Sequence, residues 1–326
     1  MNREVPSLAG LRVVVTRPDL PGDGITRLRA SGADVTERNS HDQLAPGELR
    51  HLLKRADGAI VTGMDPVTSL DLADLTQLRA IATASTGTNH IDLAAAADGG
   101  VAVMSVNGAD SEACADYTFG LIIGARRRLV EHARRVGDGQ WNQHTMHTWL
   151  SADVSGAQLG LIGFGRIAHA VARRARGFDM RVVHHDRSRS KSPLSTWVDL
   201  QTLLETSDIV SVHAPLTDAT HHLIDDTALR SMKHTATLIN TSRGGIVDTT
   251  ALVDALTAGR LHSAALDVIE GEPLGPVDER LLKLDSLIIT PHAAAATTAV
   301  RSEIVASAVN QLLDVLRAAP RRHAHI

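Results

Sequence analysis

One stretch constrains the fold more than any other part of the chain: QLGLIGFGRIAHAVARRARGFDMRVVHHDRS, residues 158–188. Leu159 to Ile162 is an apolar run bounded by glycines, which is typical of a buried strand. Gly163, Gly165 and Ala168 then stand at the spacing G-x-G-x-x-G/A, and apolar residues recur behind them at helical spacing. The pattern predicts a strand that turns sharply into a helix.

This turn has the residues that a dinucleotide site needs. Gly163 allows a tight turn, Gly165 lets the backbone approach a pyrophosphate, and the free N–H groups of the helix start face the anion. A second apolar strand leads to Asp186, about 20 residues on, where a carboxylate would hold ribose hydroxyls. Glycines at this spacing also occur in ordinary turns, but the succession of strand, turn, helix, strand and acid favours dinucleotide binding.

The composition narrows the class of protein. A length of 326 residues is enough for two domains. The 33 basic and 37 acidic residues give a net charge of −4 without a long basic run, so we expect no nucleic-acid partner. No apolar run approaches the roughly 18 residues that span a bilayer. Because Cys114 is the sole cysteine and the start MNREVPSLAG lacks the apolar core of a signal peptide, we expect a cytoplasmic protein without membrane contact.

The first hundred residues alternate strand and helix patterns, as in a parallel sheet covered on both faces. Strands are predicted at Leu11 to Thr16, Asp34 to Thr36, Ala59 to Val61, Ala80 to Ala82 and Val101 to Val103, with a helix at Pro46 to Ala56. The small polar loop ASTGTNHID, residues 84–92, follows the fourth strand. Two interpretations stay open for it: an anion site made of free N–H groups, or an ordinary turn in which Asn89 or Asp92 caps the next helix.

A long helical pattern from Ser111 to Val136 predicts one helix that links the domains. We interpret its cluster Arg126 to Arg128 as a solvated helix face rather than an anion site. The polar segment that follows carries Trp141 and Trp149, which need burial. A second subunit or the same chain could bury them, and the sequence favours neither.

The second half repeats the α/β alternation and predicts a doubly wound sheet of six strands. After the two strands around the glycine turn come a helix at Thr196 to Glu205, a strand at 208–216, a helix at Asp225 to Met232, a strand at 237–244, a helix at Thr249 to Ala258, and strands at 263–268 and 286–292. The final helix, Thr297 to Ala318, is long enough to return to the first domain, and the tail Pro320 to Ile326 is predicted to be disordered. We therefore expect a substrate (catalytic) domain of residues 1–109 and 293–326 and a dinucleotide domain of residues 110–292.

The seventeen histidines and the single cysteine offer few functional candidates. Neither an H-E-x-x-H pattern nor cysteines at zinc spacing occur, so no metal site is predicted and Cys114 is not expected to be a nucleophile. This holds for the three histidine pairs, His144 with His147, His184 with His185, and His221 with His222. His292 differs, because it ends the apolar strand SLIIT at the carboxyl edge of the sheet, where ligands of such sheets bind. Arg243 and Glu272 follow other strands of the sheet in the same way.

Five motifs closely resemble the D-isomer-specific 2-hydroxyacid dehydrogenases: LGLIGFGRIA, HAPLTDATHHLI, NTSRGGIVD, ALDVIEGEPL and TPHAAAATTAVR. The resemblance covers nearly the whole chain, including ASTGTNHID and EACADYTFGL, and residues 139–189 look most like the glyoxylate and hydroxypyruvate reductase branch. It implies two α/β domains with doubly wound parallel sheets, a Rossmann dinucleotide domain and a flavodoxin-like substrate domain. It also implies a homodimer formed through the helix near Ser111 and the tryptophan segment.

For the substrate, the resemblance implies a carboxylate site formed by Arg243 and the backbone of Ser85, Thr86 and Gly87. It implies that His292 is the proton donor and that Glu272 is the partner of His292. For the cofactor, it implies contacts around the adenosine, the pyrophosphate and the nicotinamide from Gly163, Gly165, Arg166, Ile167, Asp186, Arg187, His213, Ala214, Pro215, Thr220, Thr118, Thr241 and Asp267. Three residues depart from the family pattern: Ala168 and Ser85 replace glycines, and Asp116 replaces a glutamate.

The residue types suit this chemistry on their own. Hydride delivery to a 2-oxo acid builds negative charge on the carbonyl oxygen, so the site needs a positioned acid and a cation for the carboxylate. We therefore predict an enzyme that moves a hydride between a nicotinamide cofactor and a small 2-oxo or D-2-hydroxy acid of the glyoxylate or hydroxypyruvate type. NAD is preferred because Asp186 repels a 2′-phosphate, while Arg187 and Arg189 leave NADP use open. An NAD(H)-sensing corepressor of the same fold is the alternative. Formate dehydrogenase is disfavoured, because it pairs its histidine with glutamine.

Overall fold

The computed structural model describes residues 8–106, 108–272 and 279–318. The chain divides into two compact units, Met1–Asp110 with Ala296–Ile326, and Ser111–Ala295. Each unit has its own parallel sheet, so the predicted class of two parallel-sheet α/β domains is confirmed. The divisions lie one and three residues after the predicted boundaries at 109 and 292. The tail Pro320 to Ile326, predicted to be disordered, lies outside the described residues.

The elements are numbered in chain order. The strands are β1 Arg12–Val15, β2 Asp34–Glu37, β3 Gly58–Val61, β4 Ala80–Thr83, β5 Ala102–Ser105, β6 Gln158–Ile162, β7 Arg181–His185, β8 Thr196–Trp197, β9 Ile209–Val212, β10 Thr237–Asn240, β11 Ser263–Leu266 and β12 Leu287–Ile289. The helices are α1 Gly24–Ala30, α2 Glu48–Leu53, α3 Ser69–Leu72, α4 Leu93–Asp98, α5 Ser111–Arg126, α6 Leu129–Gly137, α7 Thr145–Thr148, α8 Arg166–Ala175, α9 Leu200–Thr206, α10 Asp226–Ser231, α11 Thr249–Thr257, α12 Glu279–Leu282 and α13 Thr298–Ala318. Among these helices, none has both the length and the apolar character needed to cross a membrane.

The first unit is a five-stranded parallel sheet in the order β2-β1-β3-β4-β5, which is the flavodoxin-like order. Every residue of β3 and β4 is buried, as expected for central strands of a sheet covered on both faces. The last helix, α13, contacts β3, β4, β5 and α1. It adds seven buried residues to the core of this unit: Ile304, Val305, Ala308, Val309, Leu312, Leu313 and Leu316. The end of the chain thus completes the unit that its beginning forms.

The second unit is a parallel sheet of seven strands in the order β12-β11-β10-β9-β6-β7-β8. The strand order reverses between β6 and β9, and in open α/β sheets ligands bind at the carboxyl end of such a switch point. The prediction of six strands is wrong by one. Thr196–Trp197, predicted to begin a helix, instead pairs with β7 at the edge of the sheet. The side chain of Asp199 accepts a hydrogen bond from the Thr202 N–H and caps α9, so the helix begins only at Leu200.

The single helix predicted from Ser111 to Val136 is two helices, α5 and α6. The break is at Arg128, which has a left-handed backbone with φ 50°. Arg126 ends α5 and is buried rather than solvated, which corrects the interpretation for this residue, whereas Arg127 is exposed, as interpreted. Its guanidinium donates to the carbonyls of Asp153, Asp208 and Thr235 at 2.5, 2.9 and 3.0 Å. Burial lowers the pKa of Arg126, and the three carbonyls explain why a cation is retained there.

Candidate active site

The glycine turn after β6 brings several of the predicted cofactor residues together. Gly163 has φ 87°, a backbone conformation that residues other than glycine rarely adopt. A Cβ atom at this position would lie 2.7 Å from the backbone N of Ala214 and from the carbonyl carbon of His213. The turn therefore packs directly against the chain that leaves β9. Glycine is required here by both the backbone angle and the close approach.

Gly165 is a glycine for a different reason. Its angles, φ −89° and ψ −164°, are open to any residue, and a Cβ atom there would have no protein atom within 4 Å. It is the N-cap of α8, which begins at Arg166, and no side chain caps the helix. The glycine keeps open the space in front of uncapped N–H groups, which is where a pyrophosphate binds a helix. The residues present therefore fit a dinucleotide.

The end of β7 carries an anion and two arginines. The carboxylate of Asp186 accepts hydrogen bonds from the Ser190 N–H at 3.0 Å and the Ser188 hydroxyl at 2.7 Å, and also from the Ser190 hydroxyl. Burial raises the pKa of Asp186, but the hydrogen bonds from Ser190 and Ser188 outweigh this effect and the pKa is lowered overall. Arg187 and Arg189 are both exposed, and the guanidinium of Arg189 lies 4.6 Å from the ring centroid of Trp197.

The ends of β9 and β10 hold other predicted cofactor residues in hydrogen-bonded turns. The ring of His213 is hydrogen-bonded to the Ser211 hydroxyl at 2.9 Å, and burial lowers the pKa of His213 to about 4, so the ring is neutral. The Thr220 hydroxyl donates to the carbonyl of Pro215 at 2.7 Å. Across the sheet edge, the hydroxyls of Thr118 and Thr241 lie 3.0 Å apart. These contacts fix the loops, and the predicted contacts with the cofactor stay predictions.

Asp267, after β11, shapes the turn that carries His292. It is almost fully buried, at 1% exposure. One carboxylate oxygen accepts from the Thr290 hydroxyl at 2.6 Å and the Ala293 N–H at 2.9 Å, and the other accepts from the Ala294 N–H at 2.8 Å. The carbonyl of Asp267 also accepts the His292 N–H at 2.9 Å. This anchoring role was not predicted, since nothing local in the sequence signals it.

His292 and Glu272, predicted as proton donor and partner, are in contact. Nδ1 of His292 lies 3.2 Å from Oε1 of Glu272. His292 has φ 53°, a strained backbone for a side chain of this size. Its Nε2 has no hydrogen-bond partner within the described ranges, and 44% of the side chain is exposed. This leaves one ring nitrogen held by a carboxylate and the other open to a ligand, which is the arrangement of a general acid or base.

Arg243 lies on a loop that packs against the Glu272 segment. The loop is held by Asn240, whose side-chain amide donates to the Arg243 carbonyl at 2.9 Å and accepts the Ser242 N–H at 3.0 Å. A Cβ atom on Gly244 would fall 2.0 Å from the carbonyl carbon of Ile269, so the two backbones touch. The half-buried Arg243 and the Glu272 loop are therefore positioned by one shared contact. Asn240 and Gly244 were not predicted, although an amide residue at a strand end was a usable signal.

The loop of residues 84–92 in the first unit, which is predicted to bind a carboxylate, is held by hydrogen bonds of its own side chains. The Ser85 hydroxyl donates to the Gly87 carbonyl at 2.8 Å and lies 2.7 Å from the Thr83 hydroxyl. Thr86 donates to the carboxylate of Asp110. Ser85, which replaces a usual glycine, does not have a positive φ, so the replacement causes no strain. Asp92 accepts from the Ala95 N–H at 2.9 Å and caps α4, as one interpretation predicted.

Known proteins are similar to this chain over nearly its full length. The family described as "D-isomer specific 2-hydroxyacid dehydrogenase, NAD binding domain" matches residues 119–294. The glyoxylate reductase of Thermofilum pendens is 38% identical over 317 residues, which cover 95% of this chain and 93% of that protein. Glyoxylate/hydroxypyruvate reductase B of Erwinia tasmaniensis is 37% identical and covers 93% and 95%. The crystal structure of the TT0316 protein from Thermus thermophilus superposes with a TM-score of 0.88 at 40% identity, covering 95% and 98%.

These similarities confirm the resemblance drawn from the motifs, including its reductase branch, and they give no support to the corepressor alternative. They also confirm the prediction of a nicotinamide cofactor. The chain therefore belongs to the D-isomer-specific 2-hydroxyacid dehydrogenases and is an NAD(P)-dependent oxidoreductase that transfers a hydride between the nicotinamide and a 2-oxo or 2-hydroxy acid.

Proposed function

We propose that this enzyme reduces small 2-oxo acids such as glyoxylate and hydroxypyruvate to the corresponding D-2-hydroxy acids. The names of the relatives support the substrate class. The observation that carries the proposal is the His292–Glu272 pair, in which Nδ1 faces the carboxylate and Nε2 has no hydrogen-bond partner among the described residues. A site of this kind can hand a proton to an oxygen that becomes negative during reduction.

The substrate carboxylate is bound by Arg243. Its guanidinium has the planar fork that matches a carboxylate, and its backbone is fixed by Asn240 and by the glycine contact at Gly244. The contacts implied by the resemblance for the backbone of Ser85, Thr86 and Gly87 stay predictions. A small, rigid substrate gains most from such fixation, because orientation of the reacting groups lowers the barrier.

His292 donates the proton through Nε2, and Glu272 stabilises the charged ring through Nδ1. The buried Asp267 keeps the turn in the conformation that presents this ring. When it is bound, the nicotinamide cofactor supplies the hydride. The chain itself orients the acid and neutralises the charge of the substrate.

The dinucleotide is held by the turn Gly163 to Ile167, by Asp186, and by residues at the ends of β9, β10 and β11. NAD is preferred, since the carboxylate of Asp186 is ionised and accepts hydrogen bonds from the hydroxyls of Ser188 and Ser190, as it would from those of a ribose. Arg187 and Arg189, both exposed, are the candidates to receive a 2′-phosphate. Replacing Asp186 by Asn should shift the ratio of kcat/KM values toward NADPH. Equal or better efficiency of the unaltered enzyme with NADPH would contradict the preference.

The active form is a homodimer, and the segment 129–150 supports this. Five large apolar side chains there are 45–73% exposed: Leu129, Val130, Val136, Trp141 and Leu150. Trp149, by contrast, stacks on His132 of its own chain and lies under Arg135. Apolar groups exposed in one continuous segment are typical of an interface. Light scattering at micromolar concentration should give the dimer mass, and Trp141→Ala should weaken association.

A cytoplasmic location without nucleic-acid partners completes the proposal, on the composition and charge of the chain. The decisive test of function is a kinetic screen of glyoxylate, hydroxypyruvate, pyruvate and bulkier 2-oxo acids with NADH and with NADPH. The highest kcat/KM is expected for glyoxylate or hydroxypyruvate. A bulky 2-oxo acid as best substrate would contradict the proposed substrate class and leave the family membership untouched.

A further inference from the structure

A second group of chemically active side chains lies outside the candidate active-site residues. His221 and His222 precede α10, and Glu270 follows β11, 48 residues after His222. Nε2 of His222 lies 3.0 and 3.1 Å from the two carboxylate oxygens of Glu270, and Nε2 of His221 lies 3.5 Å from one of them. The two imidazole rings stack with their centroids 4.0 Å apart. One nitrogen from each histidine and one carboxylate oxygen thus converge, all within 4.8 Å of one another.

The nitrogen-to-oxygen distances in this group are close to those between the ligand atoms of a bound metal ion. A tetrahedral Zn²⁺ ion with bonds of about 2.1 Å keeps its ligand atoms about 3.4 Å apart. The nitrogen-to-oxygen distances of 3.0–3.5 Å fall around this value. Two histidines and one glutamate also form a ligand set that Zn²⁺ uses, with water in the fourth position.

The backbone holds the two histidines in place. Adjacent residues of an extended chain point their side chains apart, but His222 has a left-handed backbone with φ 49°, and the two rings lie side by side. The His222 N–H donates to the Gly245 carbonyl at 2.8 Å, and the His221 N–H donates to the Thr217 carbonyl at 2.9 Å. A Cβ atom on Gly245 would lie 3.6 Å from Cδ2 of His221, so this glycine backs the ring.

Asp248 adds a partner behind the group. One of its oxygens lies 3.9 Å from Nδ1 of His222, and the other accepts the Ala251 N–H at 3.0 Å and caps α11. Metal-binding histidines commonly have a carboxylate behind the nitrogen that does not bind the metal, and it orients the ring and raises its basicity. Capping α11 uses only one oxygen of Asp248, so the other oxygen is left to face His222.

We propose that His221, His222 and Glu270 form a binding site for a divalent transition-metal ion of the Zn²⁺ type, with Asp248 supporting His222. An ion here would link the turn before α10 to the segment that leads to Glu272. Imidazole and carboxylate together suit Zn²⁺, whereas Mg²⁺ and Ca²⁺ prefer oxygen ligands only. The site is independent of the proposed substrate, and it would stand if that substrate were wrong.

The test is a titration of the metal-free full-length protein with Zn²⁺ by calorimetry. We expect one ion per chain at this site. His221→Ala and Glu270→Gln should each weaken it by about 10-fold or more, and Asp248→Asn, which keeps the helix cap, by about 10-fold. His147→Ala, which removes another exposed histidine, is the matched control and should leave the titration unchanged. Zn²⁺ should also raise the Tm of the wild type and not that of His221→Ala.

Binding that is unchanged in His221→Ala and Glu270→Gln would overturn the proposal, because the ions would then bind elsewhere. The absence of binding to the wild type would overturn it as well, and would show that the group is only a histidine–glutamate ion pair. Should a variant fold poorly, the visible spectrum of the Co²⁺-loaded wild type decides. Intense bands of a four-coordinate ion support the site, and the weak spectrum of an octahedral ion contradicts it.

Discussion

His292 and His222 have nearly the same local structure and opposite surroundings. Both have left-handed backbones, with φ values of 53° and 49°, and both have a ring nitrogen 3.2 or 3.0 Å from a glutamate on the same loop, Glu272 or Glu270. They differ in the second nitrogen. That of His222 lies 3.9 Å from another carboxylate, that of Asp248, while that of His292 has no hydrogen-bond partner among the residues described.

The difference teaches that a histidine–glutamate pair does not by itself identify an active site. A ring whose outer nitrogen is open can exchange a proton with a ligand. The ring of His222 has a carboxylate on each side, and the one at 3.0 Å, that of Glu270, holds it to its own chain. The two proposed functions therefore differ at the second ring nitrogen, which is Nε2 in His292 and Nδ1 in His222, although each residue pairs with a glutamate and has a left-handed backbone.

The largest effect is expected from removing the two imidazoles separately. His292→Ala should lower kcat about 10²–10⁴-fold, because a general acid is lost, and should leave NADH binding nearly intact. His222→Ala should lower kcat far less and act mainly on stability. Steady-state kinetics, with NADH binding followed by fluorescence, separates the two. Similar losses of kcat in both variants would show that the proton donor is assigned wrongly.

A change at Gly244 should damage both pairs at once, since a Cβ atom there would lie 2.0 Å from the carbonyl carbon of Ile269. Gly244→Ala is expected to lower the free energy of unfolding by about 3 kcal/mol or more. In Gly177→Ala, where a Cβ atom has no neighbour within 4 Å, the change should stay within about 0.5 kcal/mol. Urea denaturation of both variants is the measurement. Equal stabilities of the two variants would mean that the backbones at Gly244 and Ile269 can move apart without destabilising the protein.

The two glutamates should differ in their effect on kcat. Oε1 of Glu272 lies 3.2 Å from Nδ1 of His292, the proposed proton donor, so Glu272→Gln should lower kcat for reduction, though by less than His292→Ala. Glu270→Gln, which removes the carboxylate next to His222, should leave kcat nearly unchanged. Steady-state rates of reduction test this, and an unchanged kcat in Glu272→Gln would contradict the proposed role of Glu272.

The smallest effect is expected at His213, a third histidine, whose pKa is shifted by burial alone. Its pKa is lowered from 6.5 to about 4. The unfolded chain therefore binds a proton where the folded chain does not, and the free energy of unfolding falls as pH drops from 6.5 to about 4. His213→Asn should make this decline shallower. Urea midpoints at about pH 7 and about pH 5 are compared, and parallel declines in the two proteins would contradict the expectation.

Much of the fold was predictable, because buried parallel strands are short apolar runs that end in glycines and polar residues. The break at Arg128 was not, since a left-handed arginine has no local sequence signal. The burial of Arg126 depends on carbonyls at Asp153, Asp208 and Thr235, as many as 109 residues away. Only tertiary structure brings these groups together.

The candidate site divides in the same way. His292, Arg243 and Glu272 were predicted because the carboxyl ends of parallel strands meet at one edge of the sheet. The contact of Gly244 with Ile269 and the approach of Glu270 to His222 were not predictable, because they depend on how two loops pack. The roles of the predicted residues stay predictions until the variants are measured.

The left-handed backbone of His292 lowers the stability of the protein at a residue that is proposed to act in catalysis. Glycine adopts such a backbone without the steric penalty of a side chain, which is on the order of 1 kcal/mol or more. Selection for stability alone would therefore favour glycine or asparagine at position 292, and the resulting protein would be more stable but would lack the proposed proton donor. The proposed proton transfer accounts for a histidine at a position where another residue would give a more stable protein.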